Sequence, residues 1–485
     1  MNSISRRHFI QASTATAAIL GTAPAVLARR SRSDELRVAV IGVRGRGGSH
    51  IHGLQKLDGV QVTLLCDVDE NALARAATGL AEKGVEVETE TDLRRVMDRK
   101  DIDIIATATP NHWHSLLTIW ACQTGKDVYV EKPVSHNVFE GRQMVRAARK
   151  YNRIVQTGTQ ARSSTSIAEA VAWVQAGNLG KIVCSRGLCY KPRQSIGKVR
   201  GPQGIPAGVD YDLWIGPAPL VPLMRRSLHY DWHWDFATGN GDLGNQGIHQ
   251  MDIARWFLGE KKLAPRVQSL GGRFAYDDDA DTPNTVVAVH DYASAPLVFE
   301  VRGLPKDAAS QKKDWGGSMD TYMGARIGNI VHCEEGHVLV SNSYNNVRAF
   351  DKEGTMVKEW KGSADHFADF IDAVRSRKSS DLAADIEEGH ISSALCHTSN
   401  ASYLAGQTVS LDDGRTSMGE GFGGEAFGRL YEHLSANGVG LDSSQATLGA
   451  RLEIDPKTER ITNNALANSF MTRPYRAGFV VPNEV

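Results

Sequence analysis

Residues 36–48 read LRVAVIGVRGRGG, an apolar run with β-branched residues that passes into a turn carrying Gly42, Gly45 and Gly47. A buried strand, a tight glycine turn and the start of a helix, in that order, open a doubly wound parallel sheet. When such a turn holds a dinucleotide, glycines stand at its first, third and sixth places. The first makes the turn, the second lets the pyrophosphate approach, and the third brings helix and strand together. Gly42 and Gly47 occupy the outer two places and Arg44 the middle one, with Gly45 and Arg46 completing the turn. Asp67 follows 25 residues after Gly42, at the end of the run VQVTLLCDV. A carboxylate there accepts hydrogen bonds from the adenosine ribose and repels a 2′-phosphate, which favours NAD. Arg44 is able to approach a 2′-phosphate, so NADP stays open.

The pattern continues outward from this turn. DIIATAT, DVYVEKP and RIVQTGTQ are further short strands, separated by the helical stretches DENALARAATGLAEKG, HWHSLLTIWACQTG and NVFEGRQMVRAARKYN. Strand and amphipathic helix in alternation are βαβ units, so residues 36–160 are expected to form an α/β, Rossmann-type domain. Ser163 and Ser164 stand as caps before SIAEAVAWVQAGN, after which the texture changes. KIVCSRGLCY, NTVVAVHDY, PLVFEVRG and HVLVSN lack a regular helix between each pair. Residues 161–445 are therefore expected as an α+β domain with a mainly antiparallel, open sheet. The late helices DHFADFIDAVRSRK and IEEGHISSALCHTSNASYLAG are expected to pack on that sheet. Residues 446–485 hold too few apolar side chains to stand alone and must wrap the body.

The chain of 485 residues is 41% apolar and 23% charged, with a formal net charge of −1. That balance excludes disordered and collagen-like classes, and the absence of a long basic run excludes electrostatic capture of nucleic acid. None of the six cysteines (Cys66, Cys122, Cys184, Cys189, Cys333, Cys396) makes a CxxC pair, so free buried thiols are expected. His112 and His114 flank Trp113 with no carboxylate or cysteine at ligand spacing, and no metal is expected. At the N-terminus, Ser5-Arg6-Arg7-His8-Phe9 precedes a moderately apolar stretch, interrupted by Gly21 and Pro24, that closes on Val26-Leu27-Ala28. Charged, apolar and small-residue regions in that order make residues 1–28 a signal peptide rather than a spanning helix. Twin arginines followed by Phe9 resemble a Tat signal, which implies passage to the periplasm in the folded state through the Tat machinery.

Two more stretches carry the chemistry. TATPNHWHSLLTIWACQTGKDVYVEKPVSHN (107–137) runs strand, helix, strand and contains Glu131-Lys132-Pro133. GNGDLGNQGIHQMDIARWFLG (239–259) sets Asn245 four residues before His249. With GVDYDLWIGPAP and the closing LEIDPKTER…ANSFMTRPYRAGFVVP, they resemble the glucose–fructose oxidoreductase / inositol dehydrogenase family (Gfo/Idh/MocA). The resemblance is to its exported, planctomycete-type branch and covers nearly the whole chain from residue 36.

The resemblance implies that Lys132 points at the substrate carbinol beside the nicotinamide, with Pro133 fixing the backbone and Glu131 at the cofactor. It also implies that Thr109, Pro110, Asn111 and His114 line the nicotinamide side. A lysine half-buried against a cationic ring has its pKa lowered toward neutrality and can move the hydroxyl proton. His249 is the second expected acid/base group. On one helix, residues i and i+4 share a face, so Asn245 and His249 would reach the same substrate. The family more often has an aspartate at the place of Asn245. An asparagine bonds a sugar hydroxyl but cannot act as a base, so His249 must work with Lys132 or solvent. Tyr230, Trp232 and Trp234, near Tyr211 and Trp214, offer flat rings to stack on sugar faces, with Asp231 and His233 beside them for hydroxyls. Lys191 and Arg193 are expected on a solvated loop.

These readings point to an exported NAD(P)-dependent oxidoreductase acting on a sugar, cyclitol or glycoside hydroxyl. Free NAD is cytoplasmic, so such an enzyme must load its cofactor before export, bind it tightly and recycle it internally. An alternative is a glycoside-cleaving enzyme, in which transient oxidation to a ketone acidifies the neighbouring C–H and the aglycone is eliminated. A third is a non-catalytic sugar-binding protein. The open sheet is expected to meet another copy, as in the family, giving a homo-oligomer.

Overall fold

The computed structural model describes residues 35–441 and 444–485; the signal-peptide reading of residues 1–28 lies outside them. The apolar runs of the first domain become β1 (Leu36–Ile41), β2 (Val60–Cys66), β3 (Glu88–Glu90), β4 (Ile104–Thr107), β5 (Asp127–Val130) and β6 (Val155–Thr157). They form one wholly parallel sheet in the order β3-β2-β1-β4-β5-β6. Between them run α1 (Arg46–Gln55), α2 (Glu70–Ala81), α3 (Leu93–Asp98), α4 (Asn111–Gln123) and α5 (Val138–Lys150). Asp69, Asp92 and Asn137 cap α2, α3 and α5 by accepting N–H groups of the first turn. Val38, Val40, Ile104 and Ile105 are fully buried because helices cover both faces. The strand order reverses between β1 and β4, and an open α/β sheet binds its ligand beyond the strand C-termini at such a switch.

Ser164 caps α6 (Thr165–Gln175), which leads to β7 (Ile182–Tyr190). After a long irregular segment come α7 (Gly241–Asn245) and α8 (Gly247–Leu258). β8 (Arg266–Gly272), β9 (Thr285–Asp291), β10 (Leu297–Arg302), β11 (Ile327–Cys333), β12 (Gly336–Val340), β13 (Asn346–Asp351) and β14 (Met356–Lys361) follow. Farther along the chain lie α9 (His366–Ser376), α10 (Ile386–Leu404), β15 (Gln407–Ser410), α11 (Phe422–Ala436), β16 (Gln445–Leu448) and β17 (Leu452–Asp455). The second sheet runs β14-β13-β12-β11-β7-β10-β9-β8-β16-β15, with β17 also on β8. Among the described strands of this sheet, only β7 and β10 pair in parallel. Ile248, Met251 and Ala254 of α8 and Ile391, Ala394 and Leu395 of α10 share its inner core with Val286, Leu297 and Phe299.

Three details differ from the sequence expectation. First, α9 packs on the Rossmann sheet rather than on the second one: Phe370, Ile371 and Val374 join Val38, Val40 and Tyr129. A parallel sheet needs both faces covered, and α1 and α2 leave room for a third helix on theirs. Second, the open sheet carries a helix on its other face over β8–β10, where Phe427, Leu430 and Leu434 of α11 bury against Leu270, Val287 and Val298. Third, the closing residues first extend the large sheet as β16 and β17 and then return to the Rossmann domain. Phe479 and Val481 enter the core around Trp113, and Gln143 donates to the carbonyls of Pro482 and Asn483.

Candidate active site

The glycine turn is set by close packing at two places. Gly42 sits at φ +82°, and a Cβ there would lie 2.9 Å from the Thr109 nitrogen. A Cβ on Gly47 would lie 1.8 Å from the Gly42 carbonyl oxygen. No side chain caps α1, and nothing stands within 4 Å of where a Gly45 Cβ would be. Free N–H groups at an uncapped, uncrowded helix start fit the pyrophosphate of a dinucleotide. Arg44 stands at the middle place with its side chain directed partly to solvent, 45% exposed.

Arg44 and Arg46 leave the turn in different directions. Arg46 Nε donates to Glu131 Oε1 at 2.6 Å, and His50 Nε2 lies 3.0 Å from the same oxygen. Burial alone would raise the Glu131 pKa, but Arg46, His50 and Lys132 outweigh it and hold the carboxyl well below the usual range. Arg44 Nη1 lies 3.3 Å from Asp69 Oδ2, which His229 Nε2 also reaches at 3.0 Å. Asp69 Oδ1 meanwhile accepts the N–H groups of Asn71 and Ala72 at the start of α2. Asp67 accepts from the main-chain nitrogens of Val43 at 2.9 Å and Asp69 at 3.0 Å, and burial pushes its pKa up.

Lys132 follows the C-terminal end of β5, and its Nζ donates to the main-chain carbonyl of Asn245 at 2.5 Å, with Asn245 Oδ1 at 3.5 Å. That carbonyl is available because the helix breaks at Gln246. The His249 N–H bonds the Gln246 oxygen instead of the Asn245 oxygen that a continuous helix would use. Asn245 and His249 therefore do not share one helix face as the spacing predicted: Asn245 ends α7 and His249 begins α8. Burial, opposed by Glu131 and aided by Arg46 and Lys191, brings Lys132 down to about 8.

A cleft of about 470 Å³ runs from the glycine turn to this lysine. Gly42, Arg44, Gly45, Arg46 and Asp67 line one end; Thr109, Pro110, Asn111, His114, Glu131 and Lys132 line its floor; Tyr230, Trp232 and Asn245 line the far end. Gly47, Trp234 and His249 do not line it. His114 is wedged between the carbonyls of Pro133 and Thr109, 2.7 Å from each, and Asn111 donates to Asn240 at 3.0 Å. Trp234 is buried with the Arg193 guanidinium 4.7 Å over its ring. Arg193 in turn makes two bonds, of 2.6 and 2.7 Å, to buried Asp242, so it does not sit on a solvated loop. The ring of His249 lies 5.8 Å from that of Tyr344, its Nδ1 has no partner among the described residues, and burial with the Lys132 charge lowers it to about 3.

One part of the site was predicted for its aromatic residues but not for its path. Residues 191–240 cross from the second domain and lie along the Asp67 end of the cleft. The Glu70 N–H bonds the Gly208 carbonyl at 2.9 Å, the Asp210 N–H bonds the Val68 carbonyl at 3.0 Å, and Trp113 Nε1 donates to Leu213. This segment brings Leu213, Trp214 and His229 into the cleft. Its aromatic and histidine content was visible, but its path was not, because it has almost no periodic structure to read.

Residues 36–159 match the family model described as oxidoreductase family, NAD-binding Rossmann fold. Residues 174–291 match its companion, the oxidoreductase family C-terminal alpha/beta domain. The chain belongs to the Gfo/Idh/MocA oxidoreductase family. A glycosyl hydrolase family 109 protein of Shewanella sp. (strain ANA-3) is 30% identical over 163 residues, 29% of this chain and 36% of that protein. The match thus spans about a third of the length of this curated relative. The WlbA dehydrogenase of Bordetella pertussis, in complex with NADH and UDP-GlcNAcA, superposes with a TM-score of 0.52 at 18% identity, over 74% of this chain and 94% of that one. A levoglucosan dehydrogenase in complex with NADH and levoglucosan gives 0.54 at 17% identity, over 75% of this chain and 95% of that one. At such identities these structures confirm the two-domain fold.

Proposed function

We propose that this protein is an NAD-dependent oxidoreductase acting on a hydroxyl of a sugar, cyclitol or glycoside, and that it keeps its cofactor bound. The observation that carries the reading is Lys132 at the cleft floor, tuned to about 8 and anchored on a main-chain oxygen. The turn from Gly42 to Arg46, with Asp67, would hold the dinucleotide, and when bound it supplies a hydride acceptor at its nicotinamide. Lys132 moves the proton. In its neutral form Nζ still donates to the Asn245 carbonyl while its lone pair is left for the substrate hydroxyl. Thr109, Asn111 and His114 shape the wall beside it, and Tyr230 and Trp232 present ring faces to a sugar. NAD is favoured over NADP because Asp67 is a half-buried carboxylate lining the cleft and Arg44 is engaged with Asp69.

Retention of the cofactor is supported by the 191–240 segment, which lies over the adenosine end and pairs His229 with Asp69. A cofactor held this way could be loaded in the cytoplasm and carried through the Tat machinery to the periplasm by the folded enzyme. A second reading, glycoside cleavage through transient oxidation and elimination, is favoured by the curated relative's name as a glycosyl hydrolase. The test is to purify the mature protein after export, dialyse it exhaustively, denature it and quantify NAD, NADH and NADP by chromatography. About one NAD or NADH per chain supports the reading; no dinucleotide, and none bound on addition, sinks it. Aryl-glycoside turnover with aglycone release and no net NADH would select the second reading over simple oxidation.

A further inference from the structure

The sequence assigns acid/base chemistry to His249 and sets His233 among the aromatic residues for hydroxyls; of these two, His233 lines the cleft with Lys132 and Asn245. The His233 ring stacks on Trp232, with centroids 3.6 Å apart and planes inclined by 20°. Its Nδ1 stands 2.5 Å from the main-chain carbonyl oxygen of Tyr230. A carbonyl oxygen only accepts, so Nδ1 carries the ring proton and Nε2 is left with the lone pair. Nε2 bonds no described residue and is not among the buried unpartnered atoms, as His249 Nδ1 is.

We infer that His233 is the ligand-facing acceptor of this site: Nε2 takes a hydrogen bond from a substrate hydroxyl other than the one served by Lys132. The cleft therefore selects a polyol over a compound in which that second hydroxyl is missing or methylated. The choice of ligand rests on the carbohydrate reading above; the choice of residue rests on this geometry. Burial lowers the His233 pKa to about 3, and the charged groups acting on it most, Lys132, Arg193 and Lys191, are all cationic and push the same way. The ring stays a neutral acceptor throughout the physiological range. A ligand that brings no donor leaves a desolvated lone pair unmatched, which is the source of the discrimination.

Two measurements on the holoprotein test this. Diethyl pyrocarbonate acylates an imidazole only through its lone pair, and peptide mapping by mass spectrometry locates the adduct. His233 is expected to react nearly as fast at about pH 5 as at about pH 7, whereas an ordinary imidazole, with a pKa of about 6.5, loses most of its reactivity over that interval. No adduct on His233, or a rate that falls as for a free imidazole, overturns the assignment. The second measurement compares the wild type with His233→Phe, which keeps the ring but lacks the acceptor, and His233→Gln, which restores an acceptor oxygen. The probes are methyl β-D-glucopyranoside and its monodeoxy analogues, with binding read by calorimetry. The wild type is expected to favour the parent sugar by at least about tenfold over one analogue. His233→Phe is expected to erase that preference and His233→Gln to recover part of it. Equal discrimination in the wild type and His233→Phe overturns the inference. A wild type that binds none of these sugars, while His233 reacts as expected, breaks the carbohydrate reading and leaves the acceptor standing.

Discussion

Arg44 and Arg46 stand two residues apart in one turn, and each completes a trio of arginine, carboxylate and histidine. Both carboxylates, Asp69 and Glu131, have side chains only 6% exposed. The trios differ in their histidines. His50 lies on α1, in the same domain as its partners, and its side chain is fully buried; His229 comes from the crossing segment, and a quarter of its side chain is exposed, 26%. The inner trio can break only if the Rossmann domain loosens. The outer one breaks when a single segment moves, so the same chemistry serves as a fixed support in one place and as a latch in the other.

The largest effect expected is at the residue the inner trio supports. Lys132→Met should lower turnover by about 10²–10⁴-fold while the dinucleotide content of the purified protein stays the same. Unchanged turnover would remove Lys132 from the chemistry and leave the inner trio with nothing to support. The same variant fixes a sign. The folded pKa of Lys132, about 8, lies below the ordinary lysine value of 10.5, so the unfolded chain binds more protons between these values. Wild-type stability should rise relative to Lys132→Met as pH increases from about 8 to about 10.5, read by urea denaturation at each pH.

Next in size is Glu131→Gln, which leaves Arg46 without its charge partner and should cost about 2–3 kcal/mol of stability. Arg46 keeps some solvent contact, its side chain being 40% exposed, which holds the loss at the lower end for such pairs. Glu131 also raises the Lys132 pKa, so its neutralisation should move the acid limb of the pH–rate profile to lower pH. If the limb stays in place, Glu131 is a packing element and the inner trio has no bearing on proton transfer.

How legible all this was depends on periodicity. The Rossmann sheet could be read because its central strands are short, largely buried runs between helices; Val38–Ile41, Ile104–Thr107 and Asp127–Val130 have no exposed position. The turn, Asp67 and Lys132 were legible because a strand end in such a sheet is where ligands sit. The pairing of Lys132 with Asn245 was not, because Gly244 and Gly247 weaken the helix here without showing that it breaks between them, at Gln246. Regular i, i+4 spacing across residues 245 and 249 pointed instead to one helix. The docking of α9 was missed for a similar reason. Its apolar stripe, Phe370, Ile371 and Val374, says that the helix packs, but not on which sheet. His229 was passed over since nothing in residues 191–240 is periodic.

Asp69→Asn keeps a side chain able to cap α2 but removes the charge that Arg44 and His229 share. Release of NADH, followed by loss of its bound-state fluorescence during a chase, should speed up by about tenfold, equivalent to about 1.4 kcal/mol. Melting should change little, and Arg44→Gly should act the same way by a smaller, few-fold factor. If the variant releases NADH no faster, or unfolds as readily as Glu131→Gln, the outer trio is no latch and the contrast with the inner one fails.

The smallest effect expected follows from His229 itself. Burial and the neighbouring Arg44 charge lower its pKa from 6.5, and the carboxylates of Asp69 and Asp67 only partly oppose them. With the segment closed the ring thus binds a proton less readily than when it swings into water, so the closed form carries fewer protons. Lowering the pH through about 6.5 must then favour the open form. NADH release should quicken modestly as pH falls from about 7 to about 5, and His229→Gln should release at one rate across that range. The variant keeps a donor for Asp69 and loses only the titration, so it separates protonation from simple loss of contact. A rate that is flat with pH in the wild type, or that climbs equally in His229→Gln, would place the proton-sensitive group elsewhere and reduce His229 to packing at the adenosine end.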